Sequence, residues 1–184
     1  MGFKIINMSV TQCEDYTRKQ LEDDCIIISI NEVRGSMSNL AFNSKVKDIL
    51  RLRFDDIEPK VVERLVKTNK AEREYILFTK EMALLIKDFI NMWVNKGIKT
   101  IIIHCAAGVS RSGAVACTLS RYYNGSDISY FSKGCVYPNE LVYELMCKAL
   151  DLNFNLKELK RLKRYSAKVA SSKFRMNKGY IGLC

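Results

Sequence analysis

The chain has 184 residues, nearly half of them hydrophobic, which is enough for one domain with its own core. It has no apolar run long enough to span a membrane, and its single histidine cannot supply a histidine-based metal site and leaves no serine–histidine–aspartate triad. Seven cysteines without metal-type spacing suit a reducing compartment. Because no apolar signal segment stands at the N-terminus, we expect a cytoplasmic protein. No pattern in the sequence indicates a cofactor, and we expect the protein to need neither a metal nor another cofactor.

Positive charge is concentrated near the C-terminus. Residues 157–178 contain nine basic side chains and one acidic side chain, so this segment carries +8 of the total net charge of +10. We therefore expect a domain over residues 1–154 and a basic helix and tail over residues 155–184, in a monomeric protein. The basic segment could contact nucleic acid or an anionic lipid surface, or it could be the solvated face of a helix. The last interpretation is favoured here because few aromatic residues are interspersed among the charges.

Hydrophobic patterns in the first half of the chain predict strands and helices in alternation. The continuous apolar run in Cys25-Ile-Ile-Ile-Ser-Ile30 is typical of a strand that is buried on both faces, and residues 48–54 alternate as a half-exposed strand does. The remaining predictions are a strand at 3–10, a helix-compatible stretch at 11–23, a loop at 32–45 and a partly helical segment at 60–74.

The second half continues this alternation. Thr79 is predicted to cap a helix that carries apolar residues at helical spacing as far as Trp93, and Gly97 can end that helix. The run from Ile98 to Ile103 predicts another strand. Further predictions are a helix at 113–123 ended by Gly125, an irregular stretch at 126–137, a helix capped by Asn139 and a basic amphipathic helix at 156–170. The alternation indicates an α/β fold, with a central, mostly parallel sheet flanked by helices.

The most informative stretch is His104-Cys105-Ala-Ala-Gly-Val-Ser-Arg111-Ser112, which follows a predicted strand and precedes a predicted helix. Backbone amides at such a turn point inward and the helix dipole adds positive potential, so the loop is predicted to bind an anion. The same potential favours the thiolate form of Cys105, which is a nucleophile. Arg111 can bind two phosphate oxygens through its planar guanidinium, and Ser112 can donate a hydrogen bond to the sulfur. The predicted phosphate-binding residues are Ala106, Ala107, Gly108, Val109, Ser110 and Arg111.

This motif resembles the signature of the protein tyrosine phosphatases. The form with Ala107-Gly108 and Ser110-Arg111-Ser112 is similar to the compact dual-specificity branch, and within it to small bacterial and phage predicted tyrosine phosphatases. Further support comes from residues 50–57 and 138–143. The resemblance implies a metal-independent phosphomonoester hydrolase that forms a cysteinyl-phosphate intermediate, and it implies that His104 orders the loop by hydrogen bonding.

The substrate is defined less closely than the chemistry. Phosphotyrosine in a protein is the default that the resemblance implies. Phosphoserine, phosphothreonine, a 5′-phosphorylated RNA and a small phosphometabolite stay open. The loop interior from Ala106 to Ser110 contains no lysine, which argues against an inositol lipid, because related phosphoinositide phosphatases tend to carry basic residues there.

A leaving oxygen needs a proton, and a carboxylic acid is the usual donor. Asp55 and Asp56 follow the predicted strand at its carboxyl end, where open α/β sheets carry their ligand crevice. Asp56 is in phase with Leu52 and Phe54, as is the acid of the resembled phosphatases. We therefore predict Asp56 as the general acid, with Asp55 as the alternative. Both could instead be solvated turn residues.

Two other interpretations use the same loop. Arsenate reduction or sulfur transfer also places a cysteine in an anion-binding loop, but Arg111, Ser112 and a candidate acid favour hydrolysis of a phosphate ester. The chain could also be a non-catalytic module that recognises phosphate, with a basic tail that binds nucleic acid.

Overall fold

The computed structural model describes residues 2–176, so the part of the predicted tail at 177–184 lies outside the described residues. The strands and helices, in chain order, are β1 (Lys4–Ser9), α1 (Val10–Thr17), β2 (Cys25–Asn31), β3 (Val46–Arg53), α2 (Pro59–Lys67), α3 (Lys80–Val94), β4 (Thr100–Cys105), α4 (Arg111–Asn124), α5 (Ile128–Ser132), α6 (Glu140–Ala149) and α7 (Leu156–Met176).

The four strands form one sheet in the order β1-β4-β2-β3, and all three strand pairs are parallel. The predicted α/β fold class, with a mostly parallel sheet flanked by helices, is thereby confirmed. The two central strands are buried along their whole length, as expected of isoleucine-rich strands covered on both faces. Because β4 is central and ends at Cys105, the motif lies at the carboxyl edge of the sheet, where the strand order leaves room for a ligand.

Alternate side chains of the central strands pack into two separate cores. Ile26, Ile28, Ile101 and Ile103 belong to the larger core, which also contains residues of α3, α4 and α6. Ile27 and Ile102 point to the other face and belong to a smaller core under α1. This arrangement holds β4 from both sides and fixes the position of the loop that follows it.

Most of the predicted helix ends are confirmed. The Thr79 side chain accepts a hydrogen bond from the Met82 amide at the start of α3, and Asn139 caps α6 in the same way. Gly125 ends α4 in the left-handed conformation, with φ of 77°. The prediction for residues 126–137 was incomplete, because they contain α5. This helix has only five residues, which is too short for a periodic pattern.

The C-terminal helix α7 packs against the rest of the fold. Leu159 is buried in the larger core, and the Ser166 hydroxyl donates a hydrogen bond to the Val136 carbonyl at 2.7 Å. The helix also continues to Met176, beyond the predicted end at residue 170. The domain boundary between residues 154 and 155 stays a prediction. In the stretch from residue 2 to residue 176, no helix is both long and apolar enough to cross a membrane.

Candidate active site

The loop between Cys105 and Arg111 is held by its carbonyl groups. The Ala106 carbonyl accepts a hydrogen bond from the Val10 amide, and the Gly108 carbonyl accepts one from the Asn7 side chain at 2.6 Å. The Val109 carbonyl accepts a hydrogen bond from the Tyr137 amide at 3.0 Å, and the Ser110 carbonyl accepts hydrogen bonds from the Ala114 amide at 2.9 Å and the Asn139 amide at 3.4 Å. With these carbonyls tied to the surrounding fold, the backbone amides of residues 106–110 donate to no group among the described residues. Such a set of amides can bind an anion.

Gly108 is required for this conformation. Its φ is 72°, and a β-carbon at this position would lie 2.6 Å from the backbone of Met8 and Ser9. A side chain would therefore be both strained and in collision with the junction of β1 and α1. The loop and strand β1 form one packed unit.

Cys105 is buried at the end of β4, and the Ser112 hydroxyl donates a hydrogen bond to its sulfur at 3.1 Å. A hydroxyl donor at this position can also bond to a sulfur that leaves a phosphorus atom with an electron pair. The sequence predicted this hydrogen bond. It forms because Ser112 lies in the first turn of α4, next to the end of β4. Cys117, on the same helix, is fully buried and belongs to the larger core.

His104, the residue before the thiol, is fully buried. Burial lowers its pKa to about 4, so the imidazole is neutral near pH 7. A hydrogen bond between the imidazole and the Cys105 backbone opposes the effect of burial on this pKa. The loop-ordering role that the resemblance implies for His104 stays a prediction.

Three groups at the carboxyl edge of the sheet hold the Arg111 guanidinium. Its Nη1 donates to the Phe54 carbonyl at 2.9 Å and to the Asn31 carbonyl at 3.5 Å, and its Nη2 pairs with the Glu32 carboxylate. The guanidinium is almost fully buried, whereas Glu32 is half exposed. Its Nε makes no hydrogen bond to the described residues. These contacts hold the guanidinium in one orientation. A fixed orientation is what bidentate binding of a phosphate requires.

Glu32 was not predicted as a site residue, because it falls in a segment that the sequence marks only as a loop. Its position carried a signal nevertheless. It directly follows the buried strand β2, and β2 lies next to β4 in the sheet. A charged side chain after a buried strand of a parallel sheet lies at the ligand-binding edge.

The two adjacent aspartates have different surroundings. Asp56 accepts hydrogen bonds from the Ser110 hydroxyl at 2.8 Å and from the Asn139 side chain at 3.1 Å. Its Oδ2 lies 4.0 Å from the Arg111 Nε, and its side chain is 38% exposed. The structure thus brings Asp56 into contact with the loop and leaves it open to solvent.

Asp55 is buried and faces a different partner. Arg73 binds it with both terminal nitrogens, and the Ile76 amide donates to it at 2.8 Å. The Arg73 hydrogen bonds, together with the Ile76 amide, hold the pKa of Asp55 below its usual range against the opposing effect of burial. A carboxylate that is ionised and fully bonded in this way is a poor proton donor.

Asn139 has a second role beyond the predicted helix cap. Its side-chain oxygen accepts from the Val142 amide, and its side-chain nitrogen donates to Asp56. Glu58 strengthens the same corner, because its carboxylate accepts hydrogen bonds from the Glu140 and Leu141 amides at the start of α6. The start of α6 is therefore fixed to the segment that carries Asp56.

The geometry combines a buried thiol with a hydroxyl donor, a loop of unpaired amides, a positioned guanidinium and an exposed carboxylate. This set can bind a tetrahedral anion, attack its central atom and supply a proton to a departing oxygen.

No protein-family model matches the chain, and no curated protein matches it. The chain aligns with solved structures of tyrosine and dual-specificity phosphatases. One is the human tyrosine phosphatase-like serine/threonine/tyrosine-interacting protein, with 18% identity and a TM-score of 0.47 over 67% of this chain and 74% of that one. The PTP-2 phosphatase of Cydia pomonella has 19% identity and a TM-score of 0.49, over 78% and 83% of the two chains. Human DUSP28 has 13% identity and a TM-score of 0.38, over 91% and 94%.

At such identities and TM-scores these matches carry no conclusion about family or activity, which have to be judged from the residues of this chain.

Proposed function

We propose that the protein is a metal-independent phosphomonoester hydrolase that uses Cys105 as its nucleophile and forms a cysteinyl-phosphate intermediate. The main support is the combination of a Ser112-bonded thiol with a loop in which the carbonyls of Ala106, Gly108, Val109 and Ser110 are paired, whereas the amides of residues 106–110 donate to no described residue. We place the catalytic unit within residues 1–154. We also propose a cytoplasmic location, in keeping with a nucleophile that must stay reduced.

In the first step the amides of residues 106–110 and the Arg111 guanidinium bind the nonbridging oxygens of the phosphate. The Cys105 thiolate forms a sulfur–phosphorus bond while the phosphorus–oxygen ester bond breaks. The electron pair of that bond goes to the leaving oxygen, which takes a proton from Asp56. The fixed guanidinium and amides stabilise the charge on the transferring phosphoryl group.

In the second step a water molecule attacks the phosphorus and the sulfur–phosphorus bond breaks. Asp56, now ionised, accepts a proton from the water. The electron pair returns to the sulfur, where the Ser112 hydroxyl bonds to the regenerated thiolate. Inorganic phosphate and a free alcohol or phenol are the products, and the chain returns to its starting protonation state.

Phosphotyrosine in a protein is the proposed substrate. Val109 and Tyr137 adjoin the loop and are partly exposed, at 37% and 50%, so they offer an apolar surface to an aromatic leaving group. The loop interior offers no lysine to the additional phosphates of an inositol lipid.

The test is hydrolysis of a small aryl phosphate by the purified full chain in reducing buffer with chelator. Wild-type protein should turn over, and Cys105→Ser should lose at least 10³-fold in kcat while keeping its melting temperature. Cys147→Ala, which removes a buried thiol from α6, is the matched control and should keep its activity. Trapping labelled phosphate on the wild type but not on Cys105→Ser would support the intermediate.

Turnover by Cys105→Ser near the wild-type rate would overturn the proposal. Phosphate binding without turnover by a folded wild-type protein would instead indicate a recognition module. Thiol consumption that depends on arsenate would indicate a reductase.

A further inference from the structure

The outer face of α7 carries an unpaired row of positive charge. Lys157, Arg161, Arg164 and Lys168 follow one another at intervals of four, three and four residues, so they share one face of the helix. All four are exposed, and together they extend over about 16 Å of the helix axis. We call these four side chains the basic row.

The basic row differs from the other cations of the same helix. Lys160 and Lys163 form ion pairs with Glu140, at 3.8 and 3.0 Å. Within the described part of the chain no member of the basic row forms an ion pair; Arg164 donates only to the Lys160 carbonyl. The one acidic residue of α7, Glu158, is outnumbered by eight basic residues. The charge of this face is therefore not neutralised by the protein itself.

We infer that the basic row is a docking surface for single-stranded nucleic acid, bound through its phosphate backbone. Four cations in line match a chain of phosphodiester charges, and each contact would release a condensed counterion. Tyr165, which is 44% exposed and follows Arg161 by one helical turn, can stack on a base beside the row. The inference goes beyond the proposed phosphatase activity and does not depend on it.

A membrane surface fits α7 less well. A helix that lies on a membrane inserts a continuous apolar face, but the apolar face of α7 already packs against the protein through Leu159 and Leu162. The large apolar and aromatic side chains that the helix exposes, Leu156, Tyr165 and Phe174, are each nine residues apart over about 27 Å of the axis, so they form no continuous apolar face. The exposed face thus offers charge without a surface for insertion.

The test measures binding of the full chain to a fluorescent 20-nucleotide single-stranded RNA by anisotropy, in 50 to 300 mM salt. Four phosphate contacts predict a slope of about −3 in a plot of log K against log salt. Replacing the basic row by glutamine (Lys157→Gln, Arg161→Gln, Arg164→Gln, Lys168→Gln) should weaken binding by about two orders of magnitude at 0.1 M salt and flatten the slope. Tyr165→Ala should weaken binding about tenfold without changing the slope.

The matched control removes four exposed lysines from another part of the surface, in Lys60→Gln, Lys67→Gln, Lys70→Gln and Lys80→Gln. It should bind RNA within threefold of wild type. Equal loss in both quadruple variants would mean that only net charge matters and would overturn the inference. Retention of binding by the basic-row variant would overturn it too, as would tighter binding to phosphatidylserine vesicles that RNA cannot displace. Hydrolysis of the small aryl phosphate should be the same in all these variants, so failure of the docking inference is separable from failure of the phosphatase proposal.

Discussion

Charged side chains occupy two contrasting regions of this protein. At the carboxyl edge of the sheet, Arg111 is buried and has three partners, and Asp55 is buried against Arg73. On the outer face of α7, the four cations of the basic row are exposed and have no carboxylate partner among the described residues. One region fixes each charge in one geometry, and the other leaves its charges mobile in water.

The contrast separates two uses of charge. A buried charge with fixed partners interacts strongly with a ligand at short range, because little water screens it and no side chain has to reorganise. An exposed charge acts weakly alone, is screened within about 10 Å in ordinary buffer and becomes effective only in numbers. We therefore expect substitutions at the sheet edge to change catalysis and stability, and substitutions in the basic row to change only salt-dependent association.

The largest expected effect is that of Arg111→Lys. The variant keeps the positive charge but loses the planar guanidinium that Phe54, Asn31 and Glu32 orient, so kcat on an aryl phosphate should fall about 10³-fold. Glu32→Gln keeps Arg111 but removes the charge of one of its partners, and it should lower kcat about tenfold. Steady-state kinetics on both variants measures this difference. If Arg111→Lys turns over at a rate close to that of wild type, the fixed geometry of the guanidinium is not required for catalysis.

Asp56→Asn should come next, and its effect should depend on the leaving group. Loss of a general acid should slow a substrate with a poor leaving group about 10²-fold and leave a good leaving group nearly unaffected. Rates for a series of aryl phosphates of different leaving-group pKa measure this. Equal slowing across the series would exclude Asp56 as the acid.

Asp55→Asn, at the neighbouring position, should affect stability rather than turnover. It should change turnover little but lower the free energy of unfolding at pH 7 by about 2 kcal/mol, because it leaves Arg73 without its buried partner. Since the folded state holds the pKa of Asp55 below its usual range, this stabilisation is present above the usual pKa and is lost as the pH falls through the folded value. Denaturant titrations at pH 7 and pH 3 should therefore show a smaller gap between variant and wild type in acid. If the difference in free energy of unfolding is the same at both pH values, the ion pair between Asp55 and Arg73 is not the source of that difference.

His104 gives a pH dependence of its own. Burial lowers its pKa to about 4, against about 6.5 in an unfolded chain, so the folded state binds fewer protons between these values. The contribution of His104 to the free energy of unfolding should be complete above pH 6.5 and fall by about 3 kcal/mol as the pH drops to 4. Because the chain has one histidine, a single imidazole proton resonance reports the titration. A midpoint near 6.5 in the folded protein would show that the ring is hydrated.

The smallest effect should come from the basic row. Its quadruple glutamine variant should melt within about 2 °C of wild type, because exposed unpaired charges contribute little to folding. Differential scanning calorimetry checks this. A large drop in melting temperature would place these side chains in the packing of α7 and remove the contrast between the two regions.

The sequence predicted those parts of the site that depend on neighbours along the chain. Cys105, Ser112 and Arg111 follow from one strand–loop–helix segment, and the period-two alternation of β3 placed an aspartate at its carboxyl end. The sequences of β2 and β4 each contain three consecutive isoleucines, so the parallel sheet could be predicted as well.

What the sequence did not reveal depends on contacts between distant segments. The pairing of Glu32 with Arg111 joins residues that are separated by two strands and two helices, so the position of Glu32 after β2 indicates the ligand-binding edge but not its partner. The difference between Asp55 and Asp56 likewise rests on Arg73 and on Ser110 and Asn139, which come from three other segments. Two adjacent carboxylates are equivalent until the fold gives each its partners.

The pairing of β1 has a consequence for synthesis of the protein. Strand β1 hydrogen bonds to β4 alone in the sheet, so Lys4 must wait for Thr100 to be made before it has a partner. At roughly 5 to 20 residues per second, the ribosome leaves this strand unpaired for about 5 to 20 seconds. Gly108 packs on the end of the same strand, so the anion loop and its supporting strand become ordered in one late event. A nascent chain of this protein would therefore lack the ordered anion loop and would be exposed to chaperones until its second half has emerged.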